Sequence, residues 1–322
     1  MRNFRKPTIL ISGCIEDQPC RYDGAMVKSS FVKKLKNHVN FMTVCPEVAI
    51  GLPTPRQALR IILSKEERLV FSKTGEDLTE KMKEFSKSFI KGLSATEIHG
   101  VILKSRSPSC GIKDVKVYKN YGKAPCIPKK TSGVFTKEFS NQFKNIVMED
   151  EGRLLNYNIR QHFLTRIYAV ADLKEVKRKK DIKELIRFQS ENKYLLMAYS
   201  PNNLKKLGKI TANHEKRNIE EVLKEYEYYF NKALSTELKP MRNVNMLLHL
   251  FGYFSKDLSK NEKVFFLEHL ENYSNKKVPF SVPLEIIHGW VIRFKNKYLL
   301  NQTIFEAFPK DLLEVTDSGK GV

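Results

Sequence analysis

The sequence predicts an α/β domain, Rossmann-like with a mostly parallel sheet, followed by an all-α domain. Two observations carry this expectation. Through the first 150 residues, short apolar runs of strand length alternate with segments of helical period, the βαβα order of a parallel sheet covered by helices. Beyond that point the alternation stops and helix formers dominate. A third observation makes the two halves chemically different: all five cysteines lie within the first 126 of 322 residues.

The first strand is the apolar run 7–14, "PTILISGC". A helix is predicted over 24–38, where Val27, Phe31 and Leu35 recur every four residues. "NFMTVC" (40–45) is a second strand. "PEVAIGLPTPR" (46–56) reads as a loop, because Pro46, Gly51, Pro53 and Pro55 oppose long regular structure. "QALRIILS" extends briefly, and "ERLVFSKTGEDLT" reads as a polar hairpin or loop. Residues 77–93 follow a helical period. "EIHGVILKS" is the third strand and stops at the turn "KSRSPSCG" (104–111). "GIKDVKVYKNYGKA" is lysine-rich with no decisive period, and "SGVFTKEFSNQF" leads into another helix. The acidic stretch "MEDEGRL" (148–154) is the expected junction, giving a cysteine-rich α/β domain over 1–147 and a basic, all-helical domain over 148–322. "IEEVLKEYEYYFNKALS", "NVNMLLHLFGYF", "EKVFFLEHLENYS" and the segment after "KVPFSVP" all read as helices in the second half.

The formal net charge is +21, shared as roughly +12 over 1–150 and roughly +9 over the rest. Such a charge favours polyanions, chiefly nucleic acid; a generally lysine-rich composition gives the same charge without such a partner. No run of about 20 apolar residues exists, so no membrane span is predicted. The basic N-terminus lacks a secretory apolar stretch, and an odd cysteine count argues against a disulfide framework. The expected location is cytoplasmic.

Cys14, Cys45 and Cys110 each close a predicted strand. Ligands of open α/β sheets bind outside the carboxyl ends of the strands, so the three converge on one crevice. A closed zinc site prefers four ligands with closely paired cysteines, and the nearest pair, Cys14 and Cys20, has five residues between. A thiol nucleophile needs one thiolate and a base. Three thiolates also suit a [4Fe–4S] cluster with one iron free of protein ligand. Spacing alone leaves these uses, and buried structural cysteines, open. The neighbours are polar: Arg21, Tyr22 and Asp23 follow Cys20, Glu47 follows Cys45, and Ser107 and Ser109 precede Cys110. A purely structural cysteine prefers apolar company, so the pattern favours a working site.

The runs "ISGC(x5)CRYDG", "VCPEVAIGLPTPR" and "KSRSPSCG" resemble the thiouracil desulfidase family, α/β proteins that remove sulfur from thiolated uracil. "NKYLLMAYSPNNLKKLGKI", "FGYFSKDLSKNEKVFFLEHLENY", "VPFSVPLEIIHGWV" and "YLLNQTIFEAFP" resemble the helical domain found fused to it in tRNA 4-thiouridine desulfidases. The resemblance implies a [4Fe–4S] cluster held by Cys14, Cys45 and Cys110 with one open iron. Cys20 and Cys126 fall outside the implied ligands. It implies Glu47 as the acid/base carboxylate and Ser107, or else Ser109, as the active-site serine. It also sets histidine where this chain has Gln189 or Ser190, and again at Tyr199, so binding rather than catalysis is implied for the helical domain.

The implied reaction is a hydrolysis without net redox change. Glu47 takes a proton from the water that attacks C4 of 4-thiouridine, Ser107 positions the ring or relays a proton, and sulfur departs as hydrosulfide. Arg21 is a candidate clamp on the substrate. For tRNA, the candidate contacts are Lys174, Lys177, Arg178, Lys179 and Lys180 in "KEVKRKKDIK", through phosphate binding and counterion release. Tyr226, Tyr228, Tyr229 and Phe230 could stack bases or pack the core. The same chemistry on free thiouracil or a thionucleoside, and a non-catalytic RNA-binding iron–sulfur protein, are the competing expectations.

Overall fold

The structure is a computed structural model that describes residues 2–93, 97–236 and 238–314. It divides into two compact units, Phe4–Tyr168 with Pro309–Val322, and Met1–Asn3 with Ala169–Phe308.

The first unit is built on a parallel sheet in the order β2-β1-β5-β8: β1 (Thr8–Ser12), β2 (Asn40–Val44), β5 (Gly100–Leu103) and β8 (Val147–Asp150). Ile9, Leu10 and Ile11 of β1 are all buried, as expected of a central parallel strand covered on both faces. The connecting helices are α1 (Ser30–Leu35), α2 (Pro46–Ala49), α3 (Thr79–Leu93) and α4 (Val134–Gln142). Phe135 and Phe139 of α4 are fully buried in a core shared with Met82 of α3 and Val101 and Leu103 of β5.

A second four-stranded sheet, β4-β3-β6-β7, accompanies the parallel one. The hairpin β3 (Leu59–Leu63) and β4 (Glu67–Phe71) is antiparallel, β6 (Val115–Tyr118) joins β3 in parallel, and β7 (Cys126–Thr131) closes the edge antiparallel to β6. The segment whose form the sequence left unsettled thus supplies β6.

Three sequence expectations shift, the first being the loop expected over 46–56, whose start is helix α2. The helix expected over 24–38 is confined to Ser30–Leu35, capped by the Ser29 hydroxyl, which accepts from Val32 N at 3.3 Å. Val27 is diverted into a bridge with Ile15: its N–H donates to Cys14 O at 2.8 Å. The acidic stretch taken for the junction contributes to β8, whose Val147 and Met148 pair with Gly100 and Val101, and the first compact unit runs on to Tyr168.

The second unit is helical: α6 (Ile182–Glu191), α7 (Lys193–Tyr199), α8 (Pro201–Ala212), α9 (Ile219–Leu234), α10 (Pro240–Gly252), α11 (Lys260–Ser274), α12 (Ser281–Arg293) and α13 (Lys297–Leu300), entered from α5 (Tyr157–Lys179). Local signals fix its ends. Pro201 stands at the first turn of α8 behind the capping Ser200, and Ser259 with Glu262 forms a reciprocal capping box at α11. Tyr226, Phe230, Phe254, Phe266 and Trp290 lie in one core. Among the described residues no helix is long and apolar enough to cross a membrane.

Candidate active site

The site is assembled where β1, β2 and β5 end. Gly13 N donates to Val44 O at 2.8 Å, holding the end of β1 against that of β2. Lys104 N donates to Ser12 Oγ at 3.0 Å, tying β5 to β1. Cys14 therefore leaves β1, Cys45 leaves β2 as the cap of α2, and Cys110 sits in the turn after β5. Cys14, Cys20 and Cys110 are buried, Cys45 is half-buried, and none of the five cysteines is in a disulfide. Cys126 opens β7 in the other sheet and is exposed.

The turn carrying Cys110 is fixed from both sides. Ser107 Oγ accepts from Ser109 N at 3.3 Å and from Cys110 N at 3.1 Å, a hydroxyl-capped turn. The start of α4 closes over it: Val134 N donates to Pro108 O, Phe135 N to Ser109 O, and the Thr136 hydroxyl to Cys110 O at 2.7 Å. Gly133 makes this approach possible, since a Cβ there would lie 2.3 Å from Ser109 O.

Cys20, outside the ligand set implied by resemblance, is part of the thiol group. Its thiol interacts with both Cys14 and Cys45 and is pushed up to about 11, first by Cys14. Cys45 donates its thiol to Cys20 O at 3.9 Å and is raised through Cys20 and burial, while burial raises Cys110, whose sulfur also meets the hydroxyls of Ser12 and Ser107. Buried thiols in such company resist ionisation until a metal replaces their protons. The soft, disulfide-free donor set fits an iron–sulfur cluster. Among the described residues no three His, Cys, Asp or Glu side chains stand close enough to share a single metal ion.

Glu47, in the first turn of α2, is buried. Ser109 donates its hydroxyl to Glu47 Oε1 at 2.8 Å. Arg56 donates to Oε2 from Nε at 2.9 Å and from Nη2 at 2.6 Å, and the same Nη2 donates to Cys20 O at 3.0 Å. The structure thus brings Ser109, rather than Ser107, to the carboxylate. It also adds Arg56, which the sequence showed only as the last residue of "VCPEVAIGLPTPR". Arg21 is turned to Asp23 through two contacts of 3.1 Å, bracing the "CRYDG" turn, where Asp23 also accepts from Ala25 N.

In the helical unit the basic run on α5 is largely neutralised. Lys177 pairs with Glu227, Arg178 with Glu175, Lys179 with Glu184 and Lys180 with Glu220. Lys174 belongs to the same run. The tyrosine cluster splits by helical phase: Tyr226 and Phe230 are core residues, whereas Tyr228 is exposed and Tyr229 half-buried. Gln189 accepts from the Tyr226 hydroxyl at 2.6 Å, and Tyr199 is buried.

The family described as 2-thiouracil desulfurase matches residues 9–151, and a family described as a protein of unknown function (DUF1722) matches 193–309. The uncharacterised protein YbbK of Bacillus subtilis (strain 168) is 33% identical over 109 residues, covering 32% of this chain and 72% of its own. The uncharacterised protein YbgA of Escherichia coli (strain K12) is 26% identical over 149 residues, covering 46% of this chain and 88% of its own. A solved [4Fe–4S]-dependent thiouracil desulfidase, TudS, is 27% identical, covers 46% of this chain and 93% of its own, and superposes with a TM-score of 0.37.

Proposed function

The chain belongs to the 2-thiouracil desulfurase family, and from that premise we propose that it is a [4Fe–4S]-dependent desulfidase that hydrolyses 4-thiouridine in tRNA to uridine. The chemistry rests above all on Glu47, a buried carboxylate oriented by Ser109 and Arg56, with Arg56 also bonded to Cys20 beside the thiols. The polyanionic substrate rests on the net charge of +21.

Cys14, Cys45 and Cys110 would hold the cluster, which when bound supplies a soft Lewis-acidic iron matched to sulfur. The protein's own groups do the rest. Glu47 accepts a proton from water through a carboxylate oxygen, and that water adds at C4 of the thiolated ring. Ser109 and Arg56 hold the carboxylate in one orientation, so no reorganisation is needed at the moment of attack. Ser107 accepts two backbone N–H groups, and its hydroxyl hydrogen, which meets the Cys110 sulfur, would turn to a ring atom when substrate binds. The C–S bond breaks, sulfur leaves as hydrosulfide, and no electrons are exchanged.

Free thiouracil is the second reading, favoured by the family description. Anaerobically reconstituted full-length protein should be offered tRNA carrying 4-thiouridine, free 4-thiouridine and free 2-thiouracil, with hydrosulfide release measured. A higher kcat/KM on tRNA than on either small substrate is expected. Hydrosulfide from the small substrates alone would replace the tRNA reading with the free-base one, and none from any of them would remove the desulfidase.

A further inference from the structure

We propose that the face formed by α8 and α9 is an RNA-binding site, with Tyr228 and Tyr229 stacking on unpaired bases and Lys206, Lys209 and Lys232 holding the flanking phosphates. The inference rests on the reading that the substrate base is carried in tRNA. It relocates the RNA contact from α5, where the basic side chains of the 177–180 run are each engaged by a carboxylate.

The lysines of α8 and α9 are in a different state. Lys206, Lys209 and Lys232 are exposed, and none has a carboxylate oxygen within 4.0 Å among the described residues. Instead they border aromatic rings. The Lys206 ammonium lies 5.0 Å from the Tyr229 ring centroid, and that of Lys232 lies 5.7 Å from the Tyr228 centroid. The two tyrosine rings meet edge to face at 5.1 Å. Tyr228 is 53% exposed, on the opposite side of the helix from its sequence neighbours Tyr226 and Phe230, which are fully buried. An open cavity of about 600 Å³ lies against Tyr229, lined among others by Lys206, Lys209, Asn213, His214 and Arg217. Its two carboxylates, Glu215 and Glu225, share Arg217 at 3.8 and 2.7 Å, which offsets one of their two charges, and Lys206 and Lys209 in the same lining leave the cavity net positive.

This combination is what an unpaired stretch of RNA requires. Aromatic faces accept bases of any identity, recognition of folded RNA concentrates on loops whose bases can be splayed out, and cations without carboxylate partners neutralise phosphates without first breaking an ion pair. Each phosphate so neutralised releases counterions and steepens the salt dependence of binding.

The test uses full-length protein and tRNA carrying 4-thiouridine, with Kd measured across a salt series. The triple charge reversal Lys206→Glu, Lys209→Glu and Lys232→Glu should weaken binding at least tenfold at low salt. It should also reduce the magnitude of the log Kd against log salt slope by roughly two to three, at about 0.9 per lost phosphate contact. Tyr228→Ala should weaken binding about tenfold with the slope unchanged, the mark of a lost stack rather than a lost charge. Replacing the three lysines by arginine should preserve both affinity and slope. Melting curves within a few degrees of the wild type establish that the variants are folded. If the wild type binds tRNA and the charge-reversed variant binds it equally well with the same slope, the site is not on this face, while the tRNA reading stands. If the wild type itself does not bind tRNA, both fail.

Discussion

Ser109 donates its hydroxyl to Glu47 Oε1 at 2.8 Å across 62 residues of sequence, and Ser109 has no solvent exposure. Ser107, two residues earlier, makes no such contact; its oxygen caps the turn that presents Cys110. The two serines should therefore fail differently. Ser109→Ala leaves one oxygen of a buried carboxylate without its partner, a loss of about 1–3 kcal/mol. It should lower turnover by roughly one to two orders of magnitude while iron content stays at the wild-type level. Ser107→Ala loosens the turn itself and should reduce iron retention. If iron loss followed Ser109→Ala and not Ser107→Ala, these assignments would be reversed.

Arg56 and Glu47 are a buried pair, their side chains 3% and 12% exposed. Removing the cation alone strands the carboxylate, so Arg56→Met should cost roughly 3–5 kcal/mol in denaturant unfolding. Glu47→Gln should keep its iron and its tRNA affinity while turnover falls by roughly two to four orders of magnitude. The double variant should recover part of the Arg56→Met loss in stability, since no charge is then left unpaired. Additive losses in that cycle would mean the pair is not energetically coupled.

The parallel sheet was legible because β1, β2 and β5 are apolar runs ending in small or reactive residues, and the rule for open sheets then places Cys14, Cys45 and Cys110 together. Helix α2 was hidden by Pro46, read as a breaker although proline suits a first helical turn. Strand β8 was hidden by its Glu149 and Asp150; Val147 and Asp150 are its buried residues, and the Asp150 carboxylate is satisfied by accepting from Arg153 N at 2.8 Å. The β7 edge carries Pro128, Lys129 and Lys130 and is largely exposed, so it lacks the alternation that marks a half-buried strand. Arg56 could not be assigned to Glu47 because its approach depends on the path of the proline-rich loop between them. The basic run of α5 was visible as charge, but its partners Glu220 and Glu227 lie 40 and 50 residues away from Lys180 and Lys177; only the fold shows which lysines remain unpaired.

His162 supplies a pH dependence. Burial, and then the charge of Arg166, hold its imidazole down to about 4 from an ordinary 6.5. The unfolded chain thus binds a proton near pH 6.5 that the folded chain refuses until about pH 4. The neutral folded form is at no disadvantage above pH 6.5, and stability falls as pH is lowered from there toward 4, by up to roughly 3 kcal/mol. His162→Gln, which cannot be charged, should flatten this part of the stability curve. An equally steep decline in the variant between pH 6.5 and 4.5 would assign the effect to other groups.

The cysteines give the most direct test of the cofactor. Cys14 and Cys45 follow the paired strands β1 and β2, and Cys110 sits in the turn after β5 that Ser107 and the start of α4 hold by hydrogen bonds, so all three positions are fixed by the fold. A serine oxygen is a harder, more basic donor than a thiolate and a poor ligand for iron in a sulfide cluster. Each of Cys14→Ser, Cys45→Ser and Cys110→Ser should therefore lose most of the iron and sulfide recovered after anaerobic reconstitution, together with desulfidase activity. Cys126→Ser, on the edge of the other sheet, should retain both. Cys20 is the informative member, because its thiol interacts with Cys14 and Cys45 while its carbonyl accepts from Arg56. The carbonyl contact survives replacement of the side chain. Cys20→Ser should accordingly keep the path of the chain and most of the iron. Iron loss in Cys20→Ser, with Cys14→Ser retaining its complement, would make Cys20 the ligand at the end of β1 in place of Cys14.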